Sequence, residues 1–293
     1  MNDQLKPKLS LTLAMTIFGT IGLFVRHIDL PSSVISTVRG IVGAAFLYIF
    51  TLITKKRISQ ASIKRNIILL CISGMFIGIN WILLFEAYRY TTVATATLCY
   101  YLAPVFVILV SPLVLKERIT AKKLICAFAA LLGMVFVSGV LDVGFNFSEL
   151  TGVILGLCAA VLYAAAVIMN KKMRDIASFD MTVVQLAIAG TVLLPYTLIT
   201  EDMNVFAGLP AVSYILLAVL AIVHTGFAYA LYFGSIRNVS AQTAAIFSYF
   251  DPVVAILLSA LVLKEPMTPL SIVGAVLILG STLISEINLK KKA

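Results

Sequence analysis

The sequence predicts an all-α membrane protein: ten transmembrane helices arranged as two inverted five-helix repeats. Three observations predict it. Apolar stretches of about 20 residues, long enough to cross a bilayer, follow one another along the chain. Lys and Arg gather on one side of the implied membrane. Part of the sequence repeats itself at a spacing of 148 residues.

Composition agrees with the first observation. With 61% hydrophobic and 12% charged residues over 293 positions, the chain carries more apolar surface than a soluble domain of its size can hide. A bilayer solvates that surface, and a helix satisfies its own backbone there. The expected spans are 9–27, 33–53, 66–87, 92–115, 121–140, 150–170, 180–199, 211–233, 240–263 and 268–287. The first follows Lys6 and Lys8 and superficially resembles a signal peptide. Its apolar run is too long and lacks a small-x-small cleavage site, so it is read as a retained helix. Residues 57–65 and 200–210 are the clearest breaks, and Pro31, Asp180, Asn204 and Pro210 sit where helices should start or stop. The fourth and ninth spans contain Pro104 and Pro252. Neither can donate to the carbonyl four residues back, so each should kink its helix and act as a hinge. Cys71, Cys99, Cys126 and Cys158 lie in apolar runs without CxxC or Cys/His spacing and read as small buried hydrophobes.

The net charge of +9 is explained by position rather than by nucleic acid. If both termini are cytoplasmic, all but four of the 22 Lys and Arg residues fall on the inner side, as the positive-inside rule requires. The exceptions are Arg26, Arg89 and Lys264 outside and Arg39 within the second span.

The duplication aligns Tyr101-Leu-Ala-Pro…Leu-Val-Leu-Lys-Glu117 with Tyr249-Phe-Asp-Pro…Leu-Val-Leu-Lys-Glu265. The register holds at Gly78 and Gly226, Phe85 and Phe233, and Arg89 and Arg237. Residues 1–145 and 146–293 are therefore read as two five-helix repeats in one integrated membrane domain. An odd number of spans per repeat inverts the second copy, a plan common among secondary transporters. Lys264 lies outside because it copies Lys116, which lies inside.

The repeated Tyr-x-x-Pro…Leu-Val-Leu-Lys-Glu block, the Phe18-Gly19 pair and Arg39 resemble the EamA family of the drug/metabolite transporter superfamily. The resemblance covers nearly the whole chain. It implies a ten-helix secondary transporter, commonly an exporter of amino acids or related metabolites, with its cavity between the repeats. Ala103 stands where the second half has Asp251, so the two kinks are not equivalent.

Ionisable residues inside a membrane are functional suspects by default. Arg39 and Glu86 lie at depths compatible with a structural ion pair, the reading weighed against a direct place in the substrate path. Asp251, midway along the ninth span and next to Pro252, is a candidate for binding a cationic group or carrying a proton. His224, in the eighth span, is the second proton-coupling candidate; its bland reading is an interhelical hydrogen bond. Trp81, Tyr101, Tyr229 and Tyr249 are cavity candidates among a cluster of aromatics, whereas Tyr88 fits an interfacial belt best. Asn80, Asn170 and Gln185 suit either a wet cavity or a link between helices. Gly40, Gly43, Gly152 and Gly156 fit close helix packing.

No Walker motif, metal-ligand spacing or Ser-centred motif is present, so no cofactor or metal is expected, and a gradient-driven carrier outranks a pump, an enzyme or a channel. The expected partners are a small-molecule substrate, the lipid bilayer and, as the candidate coupling ion, protons, with no nucleic acid and with monomer or homodimer left open. Arg39 suits a carboxylate, and Asp251 and Glu86 suit an ammonium, so a zwitterion such as an amino acid is the preferred substrate. A hydrophobic or aromatic cation is the alternative.

Overall fold

The structure, a computed structural model, describes residues 5–55, 58–114, 120–137, 141, 147–236, 247–248 and 250–286. Its elements are helices, with no strand among the described residues. They are α1 (Leu5–Gly19), α2 (Ile21–Arg26), α3 (Ser32–Ile53), α4 (Gln60–Tyr90), α5 (Val93–Tyr100), α6 (Ala103–Val114) and α7 (Ala121–Val137). After these come α8 (Phe147–Lys172), α9 (Ser178–Thr200), α10 (Ala211–Val219), a π-helical segment (Leu220–Phe227), α11 (Ala228–Ile236), α12 (Phe250–Leu261) and α13 (Pro269–Glu286). Among the described residues, seven helical stretches are long and apolar enough to cross a membrane: Lys6–Arg26, Ser32–Ile53, Gln60–Tyr90, Val93–Val110, Phe147–Lys172, Ser178–Thr200 and Ala211–Ser235. Phe250–Leu261 and Pro269–Ser281 are shorter apolar helices.

Helix ends follow local chemistry. Pro31 and Pro210 are the N-caps of α3 and α10, and the Ser59 and Thr92 hydroxyls accept from the Ser62 and Thr95 amides at the starts of α4 and α5. Beyond α9, the Asp202 carboxylate accepts the Asn204 amide at 2.9 Å. That bond, with a second from the Asn204 side chain, holds the Asp202 carboxyl below its usual value.

Two interruptions matter for the site. Thr20 separates α1 from α2, and its hydroxyl lies 2.7 Å from the Ile17 carbonyl, within reach of a local bond that competes with the helical ladder. The expected fourth span breaks at Tyr101 and Leu102, where Pro104 withholds a donor. The amides of Val105 and Phe106 both return to the Leu102 carbonyl, at 2.9 and 3.2 Å. The chain leading into Pro252 lies partly outside the described residues.

Helix α4 packs against α8 and α9, α3 against α9 and the π segment, and α1 against α11 and α12. Helix α5 touches α8 and α12, and α7 lies along α13. Glycine sets two of these crossings. A methyl on Gly40 would stand 2.8 Å from the Gly190 nitrogen, and one on Gly133 would stand 2.7 Å from the Gly274 carbonyl oxygen. Gly43 likewise meets Thr225, Gly152 meets Thr91 and Gly156 meets Cys99, as expected for small residues at membrane-helix contacts. The four cysteines are free, but only Cys99 and Cys126 are buried. Cys71 and Cys158 are exposed and correct the expectation of burial. Like the exposed Ile68, Leu113, Ile125 and Phe128, they suit lipid rather than water.

Candidate functional site

The site is built around Arg39, which α3 holds 3% exposed. Its Nε donates to the Thr225 hydroxyl at 2.7 Å. Its guanidinium carbon lies 4.4 Å from the centroid of the Trp81 ring and 5.5 Å from that of Phe85, both within cation–π reach. The π segment presents Thr225: the widened turn lets its hydroxyl donate to the Leu220 carbonyl five residues back, at 3.2 Å, and its lone pairs face Arg39. Among the described residues, the ion pairs are Arg26–Glu265, Arg65–Asp175 and Arg89–Glu86. None involves Arg39. A buried guanidinium that forms no ion pair among the described residues is costly, and an anionic ligand would relieve it.

Asp251 enters from α12, where it accepts the Tyr101 hydroxyl at 2.6 Å. It lies within electrostatic range of Arg39. Aromatic rings build the wall: Tyr100 lies 5.3 Å from Tyr163 and 6.3 Å from Tyr101, and Tyr229 lies 5.2 Å from Phe18. His224 sits one residue before Thr225, 2% exposed. Its Nε2 is 2.7 Å from the Thr20 hydroxyl, its Nδ1 is 3.3 Å from the Val219 carbonyl, and Phe24 meets its ring edge-on at 4.6 Å. Toward the ends of α2 and α4 a cavity of about 380 Å³ is lined by Arg26, Asp29, Ser32, Ile35, Phe85, Tyr88 and Arg89. Phe85 thus faces both this cavity and Arg39.

The EamA-like transporter family matches residues 6–139 and again residues 150–286. This chain belongs to the EamA-like transporter family. An uncharacterized transporter of Bacillus subtilis, YxxF, is 29% identical over 252 residues, covering 85% of this chain and 79% of that protein. An uncharacterized transporter of Archaeoglobus fulgidus is 25% identical over 278 residues, covering 94% of each. Protein PecM of Dickeya dadantii is 26% identical over 224 residues, covering 74% and 73%. A solved crystal structure aligns with a TM-score of 0.65 over 95% of this chain and 96% of its own, at 17% identity, which shows a shared fold. With its apolar helices, this EamA-like transporter is a multi-pass membrane protein.

The transporter's expected site residues are only partly brought together. Arg39, Trp81, Tyr101, Tyr229 and Asp251 converge as described. The expected pairing of Arg39 with Glu86 is not formed. Glu86 instead accepts the Ser32 hydroxyl at 2.7 Å and pairs with Arg89 at 3.4 Å. Ser32 opens α3, and Arg39 lies seven residues further along, roughly 10 Å deeper at the helical rise. Tyr88 is 5% exposed and near Thr97, its hydroxyl 3.5 Å from that of Thr97, so the interfacial-belt reading gives way to a buried one. Gln185 donates to Ser73 and Asn170, at 2.7 Å each, and so links α9 to α4 and α8. Asn80 donates to the carbonyls of its own helix at Phe76 and Ile77, and its buried Oδ1 has no partner among the described residues. Tyr249 lies outside the described residues. Among them, no group of three or more His, Cys, Asp or Glu is placed to hold a metal.

Four residues escaped the sequence reading. Thr20, Tyr163 and Thr225 are ordinary members of apolar runs, and only the fold gives them partners. Glu265 was legible as half of the duplicated Lys-Glu but not as a bond. It accepts the Val93 amide at 2.8 Å and the Ser259 hydroxyl at 2.5 Å, and lies 3.5 Å from Arg26. It therefore ties the start of α5 to the end of α12 and to α2.

Proposed function

We propose that this EamA-like transporter is a secondary carrier that exports amino acids or related small metabolites across the cytoplasmic membrane by alternating access. Its ten spans form two inverted five-helix repeats, residues 1–145 and 146–293, with both termini in the cytoplasm. The pattern of helix contacts supports the repeat. Shifting by 148 residues turns the α4–α8 contact into α11–α1, α6–α8 into α12–α1, and α4–α9 into the π segment against α3. The α3–α9 and α7–α13 contacts map onto themselves, as elements straddling a two-fold axis should. The double match of one family to residues 6–139 and 150–286 supports it as well.

The observation that carries the substrate reading is the buried Arg39, which forms no ion pair among the described residues and has Asp251 within electrostatic range. A zwitterion brings one charge for each, its carboxylate to Arg39 and its ammonium to Asp251. The ring of tyrosines and the Trp81 face support a second reading, export of hydrophobic or aromatic cations. Asp251 and His224 are the proton-coupling candidates, and Pro104 and Pro252 the hinges. Sealed vesicles containing the purified protein, loaded with labelled amino acids or cationic dyes and given a pH gradient of either sign, test the proposal. Gradient-dependent efflux of amino acids that is lost in Arg39→Gln is expected. Efflux of the cations alone selects the second reading, and movement of neither class overturns both.

A further inference from the structure

The hydrogen bonds around His224 point to a proton site with two satisfied states. Val219 offers His224 Nδ1 a carbonyl at 3.3 Å. A carbonyl only accepts, so Nδ1 carries a hydrogen in either state. The Thr20 hydroxyl stands between Nε2, at 2.7 Å, and the Ile17 carbonyl, also at 2.7 Å. When Nε2 is bare, Thr20 donates to it. When Nε2 is protonated, it donates to the Thr20 oxygen and the Thr20 hydrogen turns to Ile17. The incoming proton bonds to the Nε2 lone pair, no covalent bond of Thr20 breaks, and no heavy atom has to move. A histidine held only for structure needs one of these arrangements, not both.

The surroundings decide when the charged state is reached. Phe24 of α2 covers the ring edge, and Thr20, between α1 and α2, supplies the hydroxyl. Helix α3 contributes Arg39, whose Nε holds the adjacent Thr225. Among the described residues, Arg39 is the charged group whose field acts on His224. An imidazolium near a buried guanidinium that forms no ion pair among the described residues is repelled, and an anion resting on Arg39 offsets that repulsion.

We propose that His224 is a proton-loading site, switched through rotation of the Thr20 hydroxyl, that fills when an anion occupies Arg39. Its use in transport rests on the carrier reading, but the site itself is a property of the resting protein. The chain holds two histidines, His27 and His224, so the His27→Gln variant leaves one ring to observe. The full-length variant, with 15N-labelled histidine and in lipid bilayers, is titrated by solid-state NMR from acidic to alkaline pH, in sodium acetate and in sodium chloride of equal ionic strength. The neutral form should carry its hydrogen on Nδ1. At the midpoint pH, acetate should raise the imidazolium-to-neutral ratio by about fivefold or more, and Arg39→Gln should remove the difference between the salts. Thr20→Val should lower that ratio by about tenfold, and Thr20→Ser should restore it, which separates loss of the hydroxyl from misfolding. A ring that stays neutral throughout, a neutral form protonated on Nε2, a Thr20→Val titration like that of the parent, or equal titrations in the two salts overturns the proposal. Vesicles that transport nothing would overturn the carrier reading and leave this titration intact.

Discussion

Tyr101 and Asp251 are 150 residues apart in sequence and 2.6 Å apart as donor and acceptor. The bond joins the break between α5 and α6 to the first turn of α12, so each copy of the repeated Tyr-x-x-Pro block contributes one partner. Asp251→Asn preserves shape and leaves an oxygen to accept from Tyr101, but it cannot titrate. The variant should reach the membrane folded and lose its dependence on a pH gradient in vesicle transport. Unchanged gradient dependence would make Asp251 a structural residue. Tyr101→Phe removes only the bond, and a single interhelical hydrogen bond in a membrane is worth about 0.6 kcal/mol. Its thermal midpoint in detergent should therefore barely move.

The two tyrosines of the repeated block should act on opposite states. If Pro104 and Pro252 are hinges, one of Tyr101 and Tyr249 is better packed when the carrier opens outward and the other when it opens inward. Replacing either with Ala should bias the conformations by about 1–3 kcal/mol, enough to change the dominant state of a balanced pair. Spin-label distances across each mouth read the populations. Shifts in the same direction for both variants, or in neither, would end the hinge idea.

Close helix approach should be measurable at Gly40. A Cβ there would press on the Gly190 backbone at 2.8 Å, and one at Gly190 would press on the Ile41 nitrogen at 2.7 Å. Because the obstacles are backbone atoms, Gly40→Ala and Gly190→Ala should each cost about 1–3 kcal/mol of stability. A methyl on Gly280 would meet nothing within 4 Å, and Gly280→Ala should be neutral or slightly stabilising, since Ala is the better helix former. Thermal unfolding in detergent compares the three.

What was legible in the sequence followed from composition and period. The stretches around α3, α4, α8 and α9 are long apolar runs bounded by polar or proline breaks, and those signals sit within each segment. Pro104 announced the break between α5 and α6 because the missing donor is local too. The break at Thr20 and the π segment at His224 were not legible, because each depends on a side chain bonding its own backbone once neighbours are in place. Arg39 and Glu86 were picked out individually, yet their pairing failed. Depth along a span is readable from residue counts, but the neighbour that wins a carboxylate is not, and Ser32 was closer. Asp251 and Tyr101 were both singled out, and only the fold made them partners.

Topology is testable without transport. A cysteine placed at Asn204, in the turn after α9, should react with an impermeant thiol reagent added outside intact cells, and one at Ser59, the N-cap of α4, should not. This is done in a background lacking the four native cysteines. Reaction at Ser59 alone would overturn the inverted arrangement.

The Glu265 carboxylate that accepts the Val93 amide comes from 172 residues further along the chain. During synthesis, the beginning of α5 therefore leaves the ribosome well before its capping group exists. At about 5–20 residues per second, the wait is roughly 10–30 s. Through that interval Thr92 is the local cap, and α2, which will carry Arg26 to the same carboxylate, has no counter-charge there. The closure of this corner is thus a late event in biogenesis, and a chain that stalls or is truncated before residue 265 would carry its first half into the bilayer with that corner unfastened.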